Sequence, residues 1–107
     1  MRFKVGYNRG KQATWWLYAH NGQLVAWAGE AFASLSNAQR AAAAFKAGAA
    51  SARYEVYEDA RGTWRWRAWR SSDKVAASGE AFSNQPAARR ATDNVHDNAR
   101  TATLMAA

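Results

Sequence analysis

The stretch Gly29-Glu30-Ala31-Phe32 decides the fold of this chain, because the same four residues return as Gly79-Glu80-Ala81-Phe82. The surrounding sequence repeats as well, since Phe3-Lys4-Val5 corresponds to Tyr54-Glu55-Val56. Equivalent residues are 51 positions apart up to the third predicted strand and 50 apart after it, so the first copy carries one extra residue near Trp27. Self-similarity at a constant spacing indicates that one supersecondary unit was duplicated.

The two copies are too short to fold separately, and we expect them to share one core. A unit of about 50 residues buries little of its surface, whereas the whole chain of 107 residues has the length of one domain. Its residues are 49% hydrophobic and include six tryptophans, which suffices for a core. We predict one domain over residues 1–107, made of repeat 1 (1–51) and repeat 2 (52–107), and a monomer whose repeats form an internal pseudo-dimer.

Alternation of apolar and polar residues predicts three strands in each repeat. The Asn21-Gly22 pair predicts a type I′ turn between the second and third strands, because both residues tolerate positive φ. The predicted strands lie at residues 3–7, 15–19, 24–28, 54–57, 63–70 and 74–78.

Alanine-rich segments with helical spacing follow the third strands, and alanine favours helices that lie close to a sheet. We predict a first helix from Leu35 to Ala49, with Ser34 or Ser36 as its N-cap and Gly48 as its stop.

The second predicted helix runs over residues 85–98, with Ser83 or Asn84 as its N-cap. Pro86 falls in the first turn, where a missing N–H costs nothing. The ending from Thr101 to Met105 is a candidate for a last short strand.

These elements predict an α+β fold of tandem β-β-β-α(-β) repeats. The repeats share one mainly antiparallel sheet, with two helices on one face and internal pseudo-twofold symmetry. The residues expected in the core are Trp15, Leu17, Trp64, Trp66, Phe32, Phe82, Phe45 and Val95.

The chain resembles the YegP-like family, small bacterial and archaeal proteins of unknown function. The resemblance covers nearly the whole chain as a tandem pair and is closest in repeat 2. It is carried by four motifs, Tyr54-Glu55-Val56-Tyr57, Trp64-Arg65-Trp66-Arg67, Gly79-Glu80-Ala81-Phe82 and Val95-His96-Asp97-Asn98-Ala99.

The resemblance implies a β-β-β-α-β unit, of which two copies make one sheet by exchanging their last strands. It implies no catalytic residues, because the family has none established. Repeat 1 departs from the family pattern at Trp16 and Tyr18, which stand where outer positions are usually polar. The short join over residues 48–52 leaves little room for a last strand there, so the sequence leaves strand exchange on that side open.

The outer face of the second strand of each repeat is the most distinctive surface feature that the sequence predicts. If Trp64, Trp66 and Ala68 point toward the helices, alternation sends their neighbours to the opposite side, and Lys4 joins them from a first strand. The candidate binding face consists of Trp16, Tyr18, Tyr57, Arg65, Arg67, Trp69 and Arg70.

Three roles are compatible with such a face. The rings and guanidiniums pack against one another, they form an interface with a protein or a second copy, or they bind single-stranded nucleic acid by stacking bases and contacting phosphates. The net charge of +7 favours polyanions but is equally typical of a soluble, basic protein. We predict association with an unknown protein or with itself, and keep weak, sequence-independent binding of single-stranded nucleic acid as the alternative.

No enzymatic site is predicted. Glu30 and Glu80 are equivalent in the repeat, so they do not divide acid and base roles. Asp93, His96 and Asp97 on one helix make a poor metal site. The chain has no cysteine, no catalytic triad order and no phosphate-binding loop. We therefore expect no catalytic residue, cofactor or metal.

The chain lacks targeting features. Residues 1–7 contain no apolar run of the length found in signal peptides, and no segment approaches the roughly 18 apolar residues of a membrane span. The sequence predicts a cytoplasmic protein without a membrane partner.

Overall fold

Residues 1–105, the part of the chain that the computed structural model describes, form seven strands and two helices. A 3-10 turn joins the second helix to the last strand. The elements are β1 (Arg2–Tyr7), β2 (Ala13–Tyr18), β3 (Leu24–Trp27), α1 (Leu35–Gly48), β4 (Arg53–Glu58), β5 (Trp64–Arg70), β6 (Asp73–Ser78), α2 (Gln85–Asn98) and β7 (Thr103–Leu104).

All seven strands belong to one sheet, in the order β4-β5-β6-β3-β2-β1-β7. Every neighbouring pair is antiparallel except β1 and β7, which run parallel. The halves of the chain meet where β3 pairs with β6, through Ala26 opposite Ser78 and Trp27 opposite Ala77. The predicted α+β class with a mainly antiparallel sheet is confirmed.

Both helices begin where a polar side chain caps free backbone amides. The Ser34 hydroxyl accepts the N–H of Asn37 at 3.1 Å, and the Asn84 carboxamide oxygen accepts the N–H of Ala87 at 2.9 Å. Of the predicted cap pairs, Ser34 and Asn84 are therefore the caps. Neither described helix has the length and apolar character needed to cross a bilayer.

One core lies between the helices and a single side of the sheet. Trp15, Leu17 and Trp66 are fully buried there together with Phe45 of α1 and Val95 of α2. The Trp15 and Phe45 rings stack with centroids 5.3 Å apart. Because residues of both helices enter the same cluster, both helices pack on the same side of the sheet.

The sequence-based core assignment is wrong for Trp64, Phe32 and Phe82, which are only half-buried. The Phe32 N–H donates to the Ala13 carbonyl at 2.8 Å, and Trp64 and Phe82 exchange two backbone hydrogen bonds of 2.7 Å. These bridges hold the chain at the corner between a third strand and its helix. The three rings therefore lie at the margin of the core.

The two glycines of the repeated tetrapeptide are needed for different reasons. Gly29 has a φ of +79°, a conformation that other residues rarely adopt. Gly79 has no such conformation, but a Cβ there would lie 2.8 Å from the Leu24 carbonyl oxygen. Gly79 thus permits close backbone approach where the two halves of the sheet meet.

The turn between β2 and β3 differs from the predicted type I′ turn. Gly22 has a φ of +84°, but Asn21 is not among the residues with positive φ. The N–H of Gly22 donates to the Ala19 carbonyl, and the Ala19 N–H donates to the Gln23 carbonyl, each at 2.9 Å. The connection is therefore a three-residue loop that ends in a glycine of positive φ.

The last strand is present in one half of the chain. β7 pairs with β1, so the end of repeat 2 lies beside the first strand of repeat 1. The chain passes from α1 through residues 49–52 directly into β4. The question that the sequence left open is thereby answered for the described residues: the first half has no last strand of its own, and β4 ends the sheet without a neighbour on its outer side.

Adjacent tryptophans on β2 test the division of the sheet into two faces. Trp15 is 0% exposed, whereas Trp16 on the opposite face is half-buried. We expect Trp15→Ala to lower the free energy of unfolding by about 3–5 kcal/mol, because it empties a closely packed site. Trp16→Ala is expected to cost clearly less. Urea unfolding followed by circular dichroism measures both, and equal losses would contradict the assignment of faces.

Candidate binding face

The side of the sheet away from the helices, here called the open face, carries a continuous row of side chains across six strands. Adjacent strands place these residues side by side through the pairings of β1 with β2, β2 with β3, β3 with β6, β6 with β5 and β5 with β4. The row is Lys4, Trp16, Trp27, Ala77, Arg67 and Glu55.

Six of the seven predicted site residues lie on this open face. Trp16 and Arg67 belong to the row itself, and period-two alternation along each strand places the others on the same side. All six are half-buried. They are Trp16, Tyr18, Tyr57, Arg65, Arg67 and Trp69.

Arg70 was wrongly assigned to this face. It lies one position after Trp69, so alternation sends it to the helix side. Its guanidinium donates to the Ala44 carbonyl of α1 at 3.0 Å and lies against Gly48, where a Cβ would be 2.9 Å from Nη2. Arg70 therefore connects β5 to α1.

Arg67 is the centre of the repeat 2 part of the face. Its Nε donates to the Glu55 carboxylate at 2.5 Å, and the indole N–H of Trp69 donates to the same oxygen at 3.2 Å. The guanidinium also lies over the rings of Tyr57 and Trp69, 4.4 and 5.6 Å from their centroids. The hydrogen bond from Arg67, followed by that from Trp69, lowers the pKa of Glu55. Arg67 and Glu55 therefore neutralise each other, whereas Arg53, 5.7 Å over the Trp69 ring, has no carboxylate within 4 Å among the described residues.

Arg65 is held by Asp59, at the turn that precedes β5. Its Nε lies 3.0 Å from the carboxylate. Asp59 also accepts the Thr63 hydroxyl at 2.5 Å and the backbone N–H groups of Thr63 and Arg61 at 3.0 and 2.9 Å. These hydrogen bonds, the Thr63 hydroxyl foremost, hold the pKa of Asp59 well below its ordinary value.

The repeat 1 part of the face keeps its positive charge. Arg2 lies over the Tyr18 ring at 4.9 Å and Lys4 over the Trp16 ring at 5.5 Å. Neither cation has a carboxylate within 4 Å among the described residues. Aromatic rings and uncompensated cations are therefore combined on this part of the face.

Trp27 and Arg2 are face residues that the sequence reasoning missed. Trp27 pairs directly with Trp16, and Arg2 pairs with Tyr18. The signal for Trp27 was its position between Ala26 and Ala28, both buried on the helix side. Its counterpart in the repeat is Ala77, so the comparison of the two copies did not draw attention to it.

The acidic residues considered above for catalysis and metal binding do not converge on one site in the structure. Glu80 accepts a hydrogen bond from the Gln23 side chain at 2.5 Å, and the Glu30 carbonyl accepts one from the Thr14 hydroxyl at 2.8 Å. His96 Nδ1 lies 2.8 Å from Asp97. Within residues 1–105, no three His, Cys, Asp or Glu side chains converge as metal ligands would.

Asp59→Asn tests the effect of the lowered carboxyl pKa. Because the folded pKa lies below the unfolded one, ionised Asp59 stabilises the fold above the unfolded pKa of about 3.9, and this stabilisation is lost as the pH falls toward the folded pKa. We expect the free energy of unfolding of Asp59→Asn to fall less between about pH 5 and pH 2 than that of the native chain. Urea titrations across this range measure the difference.

Asparagine fits the site, because Asn8 at the equivalent turn accepts N–H groups from Gly10 and Gln12 at 2.9 and 3.0 Å. Asp73→Asn serves as the control, since the Asp73 side chain accepts no hydrogen bond from the described residues. Identical acid profiles for Asp59→Asn and the native chain would refute the assignment.

Comparison with known proteins places this face on a known fold. No family model and no curated protein matches the chain. The solution structure of YegP from E. coli, a protein of unknown function, is similar with a TM-score of 0.80 and 17% identity, over 96% of this chain and 89% of that one. A UPF0339 protein from Shewanella oneidensis is similar with a TM-score of 0.80 and 17% identity, over 96% and 87% of the two chains. The chain therefore has the fold of the YegP-like proteins, as its sequence resemblance implies.

Proposed function

We propose that this chain is a non-enzymatic binding domain of the YegP-like family, built from two tandem copies related by a pseudo-twofold axis. The sequence repeat supports the duplication, as does the order of three strands and a helix in each half of the chain. Its open face engages another protein or a second copy of the chain. The proposal for the face is carried by one observation: the row from Lys4 to Glu55 crosses six strands, and both helices lie on the other side.

The chemistry of the face suits a protein partner. Tryptophan and arginine dominate binding hot spots, because large rigid groups bury much surface at little cost in conformational entropy. Trp16, Trp27 and Trp69 are held by neighbouring strands and, for Trp16 and Trp69, by cations over their rings. The uncompensated charge of Arg2 and Lys4 favours a partner whose contacting surface is acidic.

Removal of two half-buried rings of the open face tests this role. We expect the double variant Trp16→Ala, Trp69→Ala to lose the partners that the native chain retains in a pull-down, and to lose any assembly through the face that sedimentation detects. Each lost hot-spot ring is expected to weaken binding by about 2 kcal/mol or more.

Arg70→Ala is the matched control, because Arg70 is a neighbour of Trp69 in sequence but lies on the helix side. It should leave the partners unchanged, provided circular dichroism shows both variants to be folded. If the double variant keeps the same partners and the same assembly as the native chain, the proposed role of the face is wrong.

A second candidate function is weak binding of single-stranded nucleic acid, favoured by the arrangement in repeat 1. There Trp16, Tyr18 and Trp27 provide ring faces for stacking, while Arg2 and Lys4 carry charge that no described carboxylate neutralises. Of the arginines predicted for this face, Arg65 and Arg67 are engaged by Asp59 and Glu55, and Arg70 lies on the helix side. Phosphate contacts are therefore assigned to repeat 1.

Salt dependence separates the two pairs of cations. Each phosphate contact on a single strand contributes about −0.7 to the slope of log K against log salt. We expect Arg2→Ala, Lys4→Ala to reduce the magnitude of this slope by about 1.4, and Arg65→Ala, Arg67→Ala to change it less. Titration of a labelled oligonucleotide at several salt concentrations gives the slopes. No detectable binding at low salt would exclude this function and leave the protein-binding proposal standing.

A further inference from the structure

The outer edge of β4 is the longest strand edge that the described residues leave unpaired. β4 lies at one end of the sheet and presents six residues, Arg53–Glu58. At the opposite end, β7 has two residues and covers only Arg2 and Phe3 of β1, so residues 4–7 of β1 form a shorter free edge. An exposed edge offers a row of N–H and C=O groups to any strand that fits beside it.

The connectivity explains why this edge stays open. In repeat 2, the segment after α2 turns and pairs with β1 as β7. In repeat 1, the segment after α1 becomes β4 itself, and Tyr54 stands 50 positions before Leu104 of β7. Because this segment forms β4, it is not available to pair with the outer edge of β4. The described residues thus provide a covering strand for β1 but none for β4.

The hydrogen-bonding register shows which groups face outward. The Asp59 N–H donates to the Thr63 carbonyl at 2.8 Å, so every second residue before Asp59 bonds toward β5. The backbone groups of Tyr54, Val56 and Glu58 therefore point away from the sheet. At the covered edge of β1, the outward-facing carbonyl of Met1 accepts the Thr103 N–H at 3.1 Å.

The β4 edge lacks two of the features that keep edge strands apart, a bulge and a proline, although Arg53, Glu55 and Glu58 are charged. Its register with β5 runs without a bulge from Arg53 to Glu58, and the strand contains neither proline nor lysine. Burial also differs between the two edges. Phe3, beside β7, is 6% exposed, whereas the equivalent Tyr54 is half-buried.

We infer that the β4 edge pairs with the β4 edge of a second copy, antiparallel across a twofold axis. A twofold axis pairs the same edge of both molecules, so each β4 edge is used up in the contact and the pairing closes as a dimer. Each chain already has a core of its own, as the sequence predicts, and the second copy adds a strand neighbour to it. The open faces stay free, so the inference is independent of the proposed function.

Charge selects the register of this pairing. In an antiparallel pair, residues whose backbone groups point outward must lie opposite one another to form hydrogen bonds. Tyr54, Val56 and Glu58 of one copy therefore lie opposite residues of this same outward-facing set in the second copy. With Val56 on the axis, Arg53 lies opposite Asp59 of the second copy, and Glu55 lies opposite its Tyr57.

The neighbouring registers are less favourable. A shift one way places Glu55 opposite Glu55 of the second copy, and a shift the other way places it opposite Asp59. Like charges directly opposite each other destabilise a strand pair. Registers nearer the strand ends pair fewer residues. The charges of β4 and of Asp59, the residue that follows it, therefore favour the register centred on Val56.

Sedimentation equilibrium over a wide range of protein concentration tests the inference. We expect the native chain to shift from monomer toward twice that mass as the concentration rises. Val56→Pro, which removes an outward N–H without touching the bonds to β5, should abolish the shift. Val5→Pro is the matched control: Val5 is the equivalent residue of β1 and lies beyond the two residues that β7 covers, so this variant should still dimerise.

A second pair of variants leaves the backbone unchanged. Arg53→Asp places a carboxylate opposite Asp59 and is expected to lose the dimer, whereas Arg53→Lys should retain it. In the native dimer, the amides of Tyr54, Val56 and Glu58 should exchange more slowly with solvent at high than at low concentration.

A native chain that stays monomeric at millimolar concentration would overturn the inference. So would a dimer that Val56→Pro and Arg53→Asp leave intact but that Trp16→Ala, Trp69→Ala removes, and this result would at the same time support association through the open face.

Discussion

The pairing of β3 with β6 is the interaction on which the rest of the structure depends. It consists of only two residue pairs, Ala26 with Ser78 and Trp27 with Ala77, yet it joins two three-stranded groups into one sheet. Gly79 allows the backbone of Leu24 to approach closely beside it. Because this junction unites the strands, α1 and α2 pack on one side of a single sheet and their buried residues meet in one core. Each group alone would leave an edge and much of an apolar face exposed to water.

The second consequence of the continuous sheet is the open face. With both helices on one side, the other side keeps the side chains that alternation sends there, including five aromatic rings at residues 16, 18, 27, 57 and 69. Cations over these rings and cross-strand ion pairs reduce the cost of their exposure. The neutralisation of positive charge on this face, however, differs between the two halves of the chain. Glu55 and Asp59 neutralise arginines in the second half of the chain, whereas positions 4 and 8, their counterparts in the first half, hold Lys4 and Asn8. The two halves of the chain thus have the same order of elements but different surface charge.

Much of the local structure was predictable because it depends on neighbouring residues. The helix at residues 85–98 has the predicted bounds, and the caps at Ser34 and Asn84 were among the alternatives named. Local patterns were less reliable at corners. Phe32 and Phe82 are apolar residues in a repeated motif, but backbone bridges hold them at the margin of the core. The Asn21-Gly22 pair indicated a turn correctly but not its type, because a third residue, His20, belongs to the loop.

The amino-acid sequence by itself indicated an internal repeat, the strand and helix periods and, apart from Arg70, which residues of β2 and β5 share a face, since all of these follow from spacing along one chain. Only the tertiary structure decided which strands became neighbours. It brought Trp27 beside Trp16, gave Arg67 and Arg65 their acidic partners and directed Arg70 to a carbonyl of α1. It also placed β7 beside β1 and left β4 without a neighbour. The physical reason is that these contacts join residues distant in sequence, and their partners are set by how the whole sheet closes over one core, not by any local pattern.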